Sequence, residues 1–458
     1  MVRLFNVHYP KRAILLLLGE ALLVAVCFVL ATLLLVGPDT YIALMLEDGA
    51  LKIAGITVLT ITLSYYFDLY ETQFLSSALE IYFRLLLVLG CSCFIVSAAI
   101  WFFPQLVIAD GVYALGFAFL APTLILWRNI HERLVRMPYF RERVYVLGGG
   151  AQARSIVDTI RGSRNAGMEI VGWRELDAEK AERKQKWVAD LQQFSNSRNP
   201  IRRVIVAVED ARNELPVEDL LMLRFHGILV ETAGTVSERL CGKIQLEGLR
   251  PSNMLYAEGF RVRPSQQFTR QVLSRTAAAV ALLLLSPTLP LVCLAIRLSS
   301  PGPIFFKQTR VGVGGKPFQV VKFRTMVVDA ESGGAQWAKK NDPRVTRLGM
   351  FLRKTRIDEI PQLWNVLRGE MAFVGPRPER PEFIPWLTQE IPYYHLRHLI
   401  RPGLTGWAQI RYGYGATLDD TREKLSYDLY YIKNMSLGLD LLIMFETIKT
   451  IVRRRGAQ

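Results

Sequence analysis

The stretch FLRKTRIDEIPQLWNVLRGEMAFVGPRPE, Phe351 to Glu379, decides how this chain is read. Adjacent acids, Asp358 and Glu359, follow a basic run of Arg353, Lys354 and Arg356 and precede Pro361. Leu363, Trp364, Val366 and Leu367 then recur at the spacing of a short amphipathic helix, ahead of the turn Gly375-Pro376-Arg377-Pro378. A carboxylate pair among so many cations suits phosphoryl chemistry. Cations hold phosphate oxygens, and a carboxylate attacks phosphorus or holds Mg²⁺. The plainer reading is a helix N-terminus, with Asp358 as cap and Pro361 in the first turn. The surrounding chain decides between them.

With 458 residues there is room for about three domains. The chain is 51% hydrophobic yet carries a net charge of +15, which suits an integral membrane protein with a basic cytoplasmic part. No nucleic-acid module or zinc-finger spacing accompanies the basic excess, so no nucleic-acid partner is expected. Cys27, Cys91, Cys93, Cys241 and Cys293 are odd in number and form no C-x-x-C, which argues against structural disulfides and zinc.

Residues 1–140 read as four transmembrane helices. Ala13 to Val36 is a long apolar run behind Lys11 and Arg12, without a signal-peptide cleavage site. Leu51 to Phe67, Ile81 to Phe103 and Val112 to Trp127 follow, and Arg84 can snorkel to the interface. Arginines 128, 133, 136, 141 and 143 after the fourth run place that end and the amino terminus on the cytoplasmic side. Glu20 lies deep in the first run with no polar neighbour evident in the sequence; it is read as partner-satisfied or interfacial, with a proton or ligand role as the alternative.

Residues 141–262 change to a Rossmann-like texture. The strand Val144 to Leu147 runs into Gly148-Gly149-Gly150-Ala151-Gln152-Ala153, and a second strand, Ile170 to Trp173, is followed by Glu175. Gly148, Gly150 and Glu175 are weak candidates for a dinucleotide, since the same glycines also serve a tight turn with no ligand. A membrane-bound nucleotide-sugar dehydratase needs a Tyr-x-x-x-Lys pair, and the chain has none.

Residues 263–458 begin with Ala277 to Ile296, an apolar run interrupted by Ser286-Pro287 and Pro290 and flanked by Arg270, Arg275 and Arg297. Proline breaks the helix there, and basic residues at both ends favour a re-entrant helix over about residues 270–298; a kinked full span is the alternative. Lys307, Arg310, Lys316, Lys322 and Arg324 follow among glycines and aromatics, a candidate site lining.

Ser286-Pro287, Lys322-Phe323-Arg324-Thr325-Met326, Asp342-Pro343-Arg344, Asp358 to Leu367, Gly375 to Glu379 and Arg401 to Trp407 together resemble the bacterial sugar transferases. These are polyprenyl-phosphate sugar-phosphate transferases, or monotopic phosphoglycosyl transferases, and the front of the chain resembles the family's long form. The resemblance implies a mostly helical α/β-mixed catalytic domain with a re-entrant membrane helix broken at Ser286-Pro287. It implies Asp358 as nucleophile on the β-phosphate of a UDP-sugar, Glu359 as a Mg²⁺ ligand and Arg377 as a phosphate ligand. Lys322, Arg324, Arg353, Glu379 and Arg401 are further substrate-binding candidates. UMP leaves, and undecaprenyl phosphate takes the sugar phosphate from a phosphoryl-aspartate. The setting implied is a bacterial inner membrane with a cytoplasmic active site, membrane lipid around the enzyme, a homodimer, and downstream glycosyltransferases as candidate partners of exopolysaccharide, capsule or O-antigen synthesis. An NAD(P)-dependent membrane oxidoreductase and an inactive scaffold stay open as alternatives. Asp428 in the tail segment Tyr427 to Lys433 is read as structural.

Overall fold

Long unbroken apolar runs leave the backbone nothing to do but satisfy itself, and in the computed structural model they are helices. The structure describes residues 2–4, 6–70, 78–137, 141–162, 167–173, 189–190, 193, 200–208, 215–246, 249, 254–255, 259–328, 330, 342–413, 415 and 417–452. The chain divides into two compact units, one of Met1–Val2 with His8–Val236 and one of Arg3–Val7 with Ser237–Gln458. Residues 237–262, read from the sequence with the α/β domain, fall in the second unit together with residues 263–458.

In the first unit α1 (Lys11–Val36), α2 (Gly49–Tyr66), α3 (Ala78–Phe102) and α4 (Val112–Arg136) pack around Val24, Phe28, Leu85, Val88, Leu120 and Leu124. Their outer faces stay apolar, with Leu22, Leu34, Phe94 and Trp101 exposed. Such a surface is stable against lipid rather than water. Glu20, read from the sequence as an acid satisfied by a partner or lying at the interface, has partners that the sequence does not identify. Arg128 Nη2 lies 2.6 Å from Glu20 Oε1, and the Tyr70 hydroxyl donates to Oε2 at 2.6 Å. Arg84 pairs with Glu80 and donates to the Phe67 carbonyl at 3.1 Å.

The α/β part of this unit holds four parallel strands, β1 (Glu142–Leu147), β2 (Met168–Trp173), β3 (Arg203–Val206) and β4 (Leu229–Thr232), in the order β2-β1-β3-β4. Buried Tyr145, Leu147, Ile201 and Val204 form a core with Leu220 and Leu223 of α6 (Val217–Phe225), while α5 (Gly150–Gly162) buries Ala153, Ile156, Val157 and Ile160. Gly148 leaves β1 at φ +139, and a Cβ there would collide with the Ala207 carbonyl oxygen.

In the second unit α7 (Pro264–Leu285) ends at a turn through Ser286, Pro287 and Thr288, and α8 (Leu289–Ser299) follows. Counting α7, five helices among the described residues are long and apolar enough to cross a membrane. An antiparallel hairpin pairs β5 (Phe305–Val311) with β6 (Pro317–Phe323). Then come α9 (Arg347–Lys354), capped by Thr346 Oγ1 accepting from Gly349 N at 2.9 Å, a single 3₁₀ turn at Ile357–Glu359, and α10 (Gln362–Arg368). β7 (Ala372–Val374) pairs in parallel with β8 (Gly403–Thr405), and α11 (Leu418–Asn434) and α12 (Leu437–Val452) close the chain. α11 starts at a Thr417–Asp420 capping box and buries Leu425, Leu429, Tyr430 and Tyr431.

Candidate active site

Apolar residues on either side of the acids fix the turn that carries them. Ile357 and Ile360 pack against Ile296, Phe323 and Leu352, and Ile360 also meets Val320, Leu363 and Val366. Entry to the turn needs Arg356 in the left-handed region at φ +59, closed by Arg356 N donating to the Arg353 carbonyl at 3.2 Å. α10 is tied to β6 by Asn365, whose Oδ1 accepts from Val321 N at 3.1 Å and whose Nδ2 donates to the Gln319 carbonyl at 2.6 Å. The spacing of Leu363 and Val366 indicates the helix; nothing in the sequence indicates this side-chain clamp.

Three cations converge on one oxygen. Glu359 Oε1 lies 2.8 Å from Arg377 Nη2 and 3.6 Å from both Lys322 Nζ and Arg356 Nη1. Burial pushes the Glu359 carboxyl up, but Arg377, Lys322 and Arg356 together outweigh it and hold it well below the usual carboxylate range. Asp358 is treated differently. Burial, and then the neighbouring Glu359 charge, push its carboxyl up, against the pull of Lys322, Arg356 and Arg353. Its side chain caps no helix, contrary to the plainer sequence reading: α10 starts at Pro361 with no side-chain cap. Its Oδ1 is buried and has no hydrogen-bond partner among the described residues. Burial also pushes Lys322 down to about 8, against the pull of Glu359.

Arg377 is held from behind. Gly375 lets its turn approach β8, since a Cβ would lie 2.5 Å from the Arg401 carbonyl oxygen. Arg397 Nη2 donates to the Arg377 carbonyl at 2.8 Å, and Arg397 is fixed by the Tyr394 hydroxyl at 2.6 Å and by Asp428 Oδ2 at 3.0 Å. Asp428, 2% exposed, therefore acts at one remove, as a support for Arg377. Sequence reasoning missed Arg397 because no local pattern links it to Arg377 or Asp428. It passed over Arg356, although the three-residue spacing to Glu359 was a usable signal.

The remaining sequence candidates are dispersed. Arg353 donates to Thr325 Oγ1 at 2.9 Å while adding positive field at Asp358. Arg324 directs its guanidinium to the Ser300 and Pro301 carbonyls, both at 2.7 Å, and so binds the chain leaving α8. Glu379 lies 3.4 Å from Arg310, and Arg401 donates to the Gly369 carbonyl at 3.0 Å beyond the end of α10. Ser286 Oγ donates to the Leu283 carbonyl at 2.7 Å in the turn it shares with Pro287. Gly148 and Gly150 form the turn after β1, and Glu175 lies outside the described residues.

No group of three or more His, Cys, Asp or Glu side chains converges among the described residues to cage a metal ion. A buried carboxylate beside an open Asp358 oxygen suits a Mg²⁺ that takes its other ligands from phosphates and water. Glu359 would hold such an ion, leaving Asp358 free, and the ion would neutralise phosphate charge.

A family model described as bacterial sugar transferase matches residues 265–454. A UDP-N-acetylgalactosamine-undecaprenyl-phosphate N-acetylgalactosaminephosphotransferase of Aeromonas hydrophila is 45% identical over 223 residues, 49% of this chain and 52% of the relative. UDP-glucose:undecaprenyl-phosphate glucose-1-phosphate transferases of Escherichia coli and Caulobacter vibrioides are 47% and 42% identical over 173 and 215 residues. These matches take in 37% and 46% of this chain, and 37% and 78% of the respective relatives. The chain thus spans about half or less of the first two relatives and most of the third. By that match, and by the family model over its carboxy-terminal part, the chain belongs to the bacterial sugar transferase family.

Proposed function

We propose that this protein transfers a sugar 1-phosphate from a UDP-sugar to undecaprenyl phosphate in two steps at Asp358. An Asp358 oxygen bonds to the β-phosphorus, the bond from that phosphorus to the bridging oxygen breaks, and UMP leaves with the bridging oxygen. A phosphate oxygen of undecaprenyl phosphate then attacks the same phosphorus. The aspartyl bond breaks, and the lipid diphosphate sugar departs. The covalent intermediate lets a soluble donor and a lipid acceptor use one site in turn. One observation carries the reading: a buried carboxylate oxygen of Asp358 has no hydrogen-bond partner among the described residues, while the cations beside it are gathered on Glu359. Arg377 and Lys322 neutralise the phosphate charge that otherwise repels the aspartate. The names of the relatives support both the reaction type and the lipid acceptor.

The membrane placement follows from lengths. α1 to α4 serve as four spans. Arg270, near the start of α7, pairs with Asp440 at 2.5 Å, so the apolar part of that helix runs only from Ala277 to Leu285. About nine residues rise roughly 14 Å, half of a hydrocarbon core of about 30 Å. α8, with 11 residues, is as short. The pair therefore dips into one leaflet and returns, keeping the acid pair on the cytoplasmic face of the inner membrane. The strand order β2-β1-β3-β4 reverses direction beside Gly148, as a Rossmann-like domain does.

The test is UMP release from UDP-glucose, UDP-galactose and their N-acetylated amino-sugar counterparts, with undecaprenyl phosphate and Mg²⁺. One donor should give UMP that Asp358→Asn abolishes. No UMP from any donor would leave the scaffold reading in place.

A further inference from the structure

Between the two arms of the membrane hairpin and the β5–β6 hairpin lies a cavity of about 500 Å³. Leu282 of α7 and Leu289 and Cys293 of α8 form its membrane side, and Phe305 and Phe323 stack at 5.5 Å on the other. Ile360 and Pro361, directly after the acid pair, and Trp364 complete the lining on the α10 side. The lining is mostly apolar. Its charged groups are Lys307 and Arg368, both exposed, with Arg368 over the Trp364 ring at 5.4 Å.

We infer that this cavity takes the first isoprene units of the polyprenyl phosphate acceptor, the segment nearest its phosphate. The assignment rests on the transfer reaction proposed above and adds where the lipid chain enters. Three observations favour a lipid chain over a soluble occupant. Apolar walls contribute by desolvation and offer few partners to a sugar or a nucleobase. Leu282 and Leu289 stand on either side of the Ser286–Thr288 turn, so the cavity is continuous with the helices that enter the bilayer. Lys307 and Arg368 supply positive charge beside an apolar cleft, the complement of a chain that ends in a phosphate. At about 500 Å³ the space accepts only the start of a long chain. The remainder lies in the membrane, where Leu283, Leu284 and Leu291 are exposed.

Cys293 reports occupancy without turnover, because it lines the cavity and is partly accessible. The full-length protein in detergent is treated with a maleimide, and alkylation of Cys293 is followed by peptide mass spectrometry. Undecaprenyl phosphate should slow that alkylation at least fivefold. Inorganic phosphate, UDP-glucose and phosphatidylglycerol at the same concentration should not. Equal protection by phosphatidylglycerol would assign the cavity to ordinary acyl chains, protection by UDP-glucose alone would assign it to the donor, and absence of protection by undecaprenyl phosphate would also overturn the inference. Cys293→Phe, which fills the space, should raise KM for undecaprenyl phosphate about tenfold and leave the acceptor-free burst of UMP in place. An unchanged KM would contradict the assignment. Protection without any UMP release would keep the cavity and remove the reaction, whereas Asp358-dependent UMP without protection would do the reverse.

Discussion

Two turns in this chain advertise a ligand in the same way, and the structure treats them oppositely. The glycine turn after β1 has the look of a phosphate cradle, yet the space that Gly148 leaves is filled by the chain itself, at the Ala207 carbonyl. At the acid turn, Glu359 is satisfied by Arg377, Lys322 and Arg356, but Asp358 next to it keeps a buried oxygen without a hydrogen-bond partner among the described residues. An unsatisfied buried acceptor costs about 1–3 kcal/mol, so its persistence points to use. Glu20 makes the same point from within α1. It is more buried than Asp358, but one oxygen is ion-paired with Arg128 and the other accepts from Tyr70, and it reads as structure.

The comparison predicts that satisfied groups govern stability and open ones govern rate. Glu20→Ala strips the partner from buried Arg128 and should destabilise the first unit by about 3–5 kcal/mol. Thermal unfolding and yield measure this, and UMP release per folded molecule should hold. Loss of UMP release at unchanged stability would break the comparison. Arg377→Ala should lower the donor step about 10²–10³-fold, as removal of a phosphate-stabilising donor does elsewhere, and should also lower the melting temperature, because it strips the nearest partner from buried Glu359; Arg377→Lys should recover part of both. Gly148→Ala forces a Cβ into a positive-φ position against Ala207 and should cost about 1–3 kcal/mol of stability, seen in melting temperature alone.

The smallest effect sharpens the contrast through pH. Attack needs the Asp358 carboxylate, and its pKa is raised, so the donor step should fall on the acid side at a higher pH than an ordinary aspartate gives. Lys322, pushed down to about 8, loses its charge above that value, and the rate should fall again there. Lys322→Arg stays cationic throughout and should abolish the basic limb, lifting the rate at pH 9 severalfold relative to wild type. A basic limb that survives this substitution belongs to another group.

Much of this was legible from the residues because it is local. Apolar length marked the long apolar helices, Ser286-Pro287 marked the helix break, and the spacing of Leu363 and Val366 marked α10. Lys322 and Arg377 were singled out and do reach Glu359. What escaped depends on partners distant in sequence. Arg128 is 108 residues from Glu20, and the clamp of Asn365 on β6 crosses more than forty. The Arg324 guanidinium, which looked like a phosphate ligand, is taken by backbone carbonyls that no spacing rule reveals. The plainer reading of Asp358 as a cap rested on acids just ahead of Pro361, a strong local signal, but Asp358 lies inside a 3₁₀ turn, Ile357–Glu359, that precedes the helix.

The most direct test of the central claim is to look for the intermediate itself. The purified protein would be incubated with its UDP-sugar donor and Mg²⁺ but no lipid, quenched in acid, digested and mapped by mass spectrometry. A sugar-phosphate adduct on the peptide at Asp358, released by undecaprenyl phosphate and absent in Asp358→Asn, is the predicted result; lipid product formed by Asp358→Asn at the wild-type rate would contradict it.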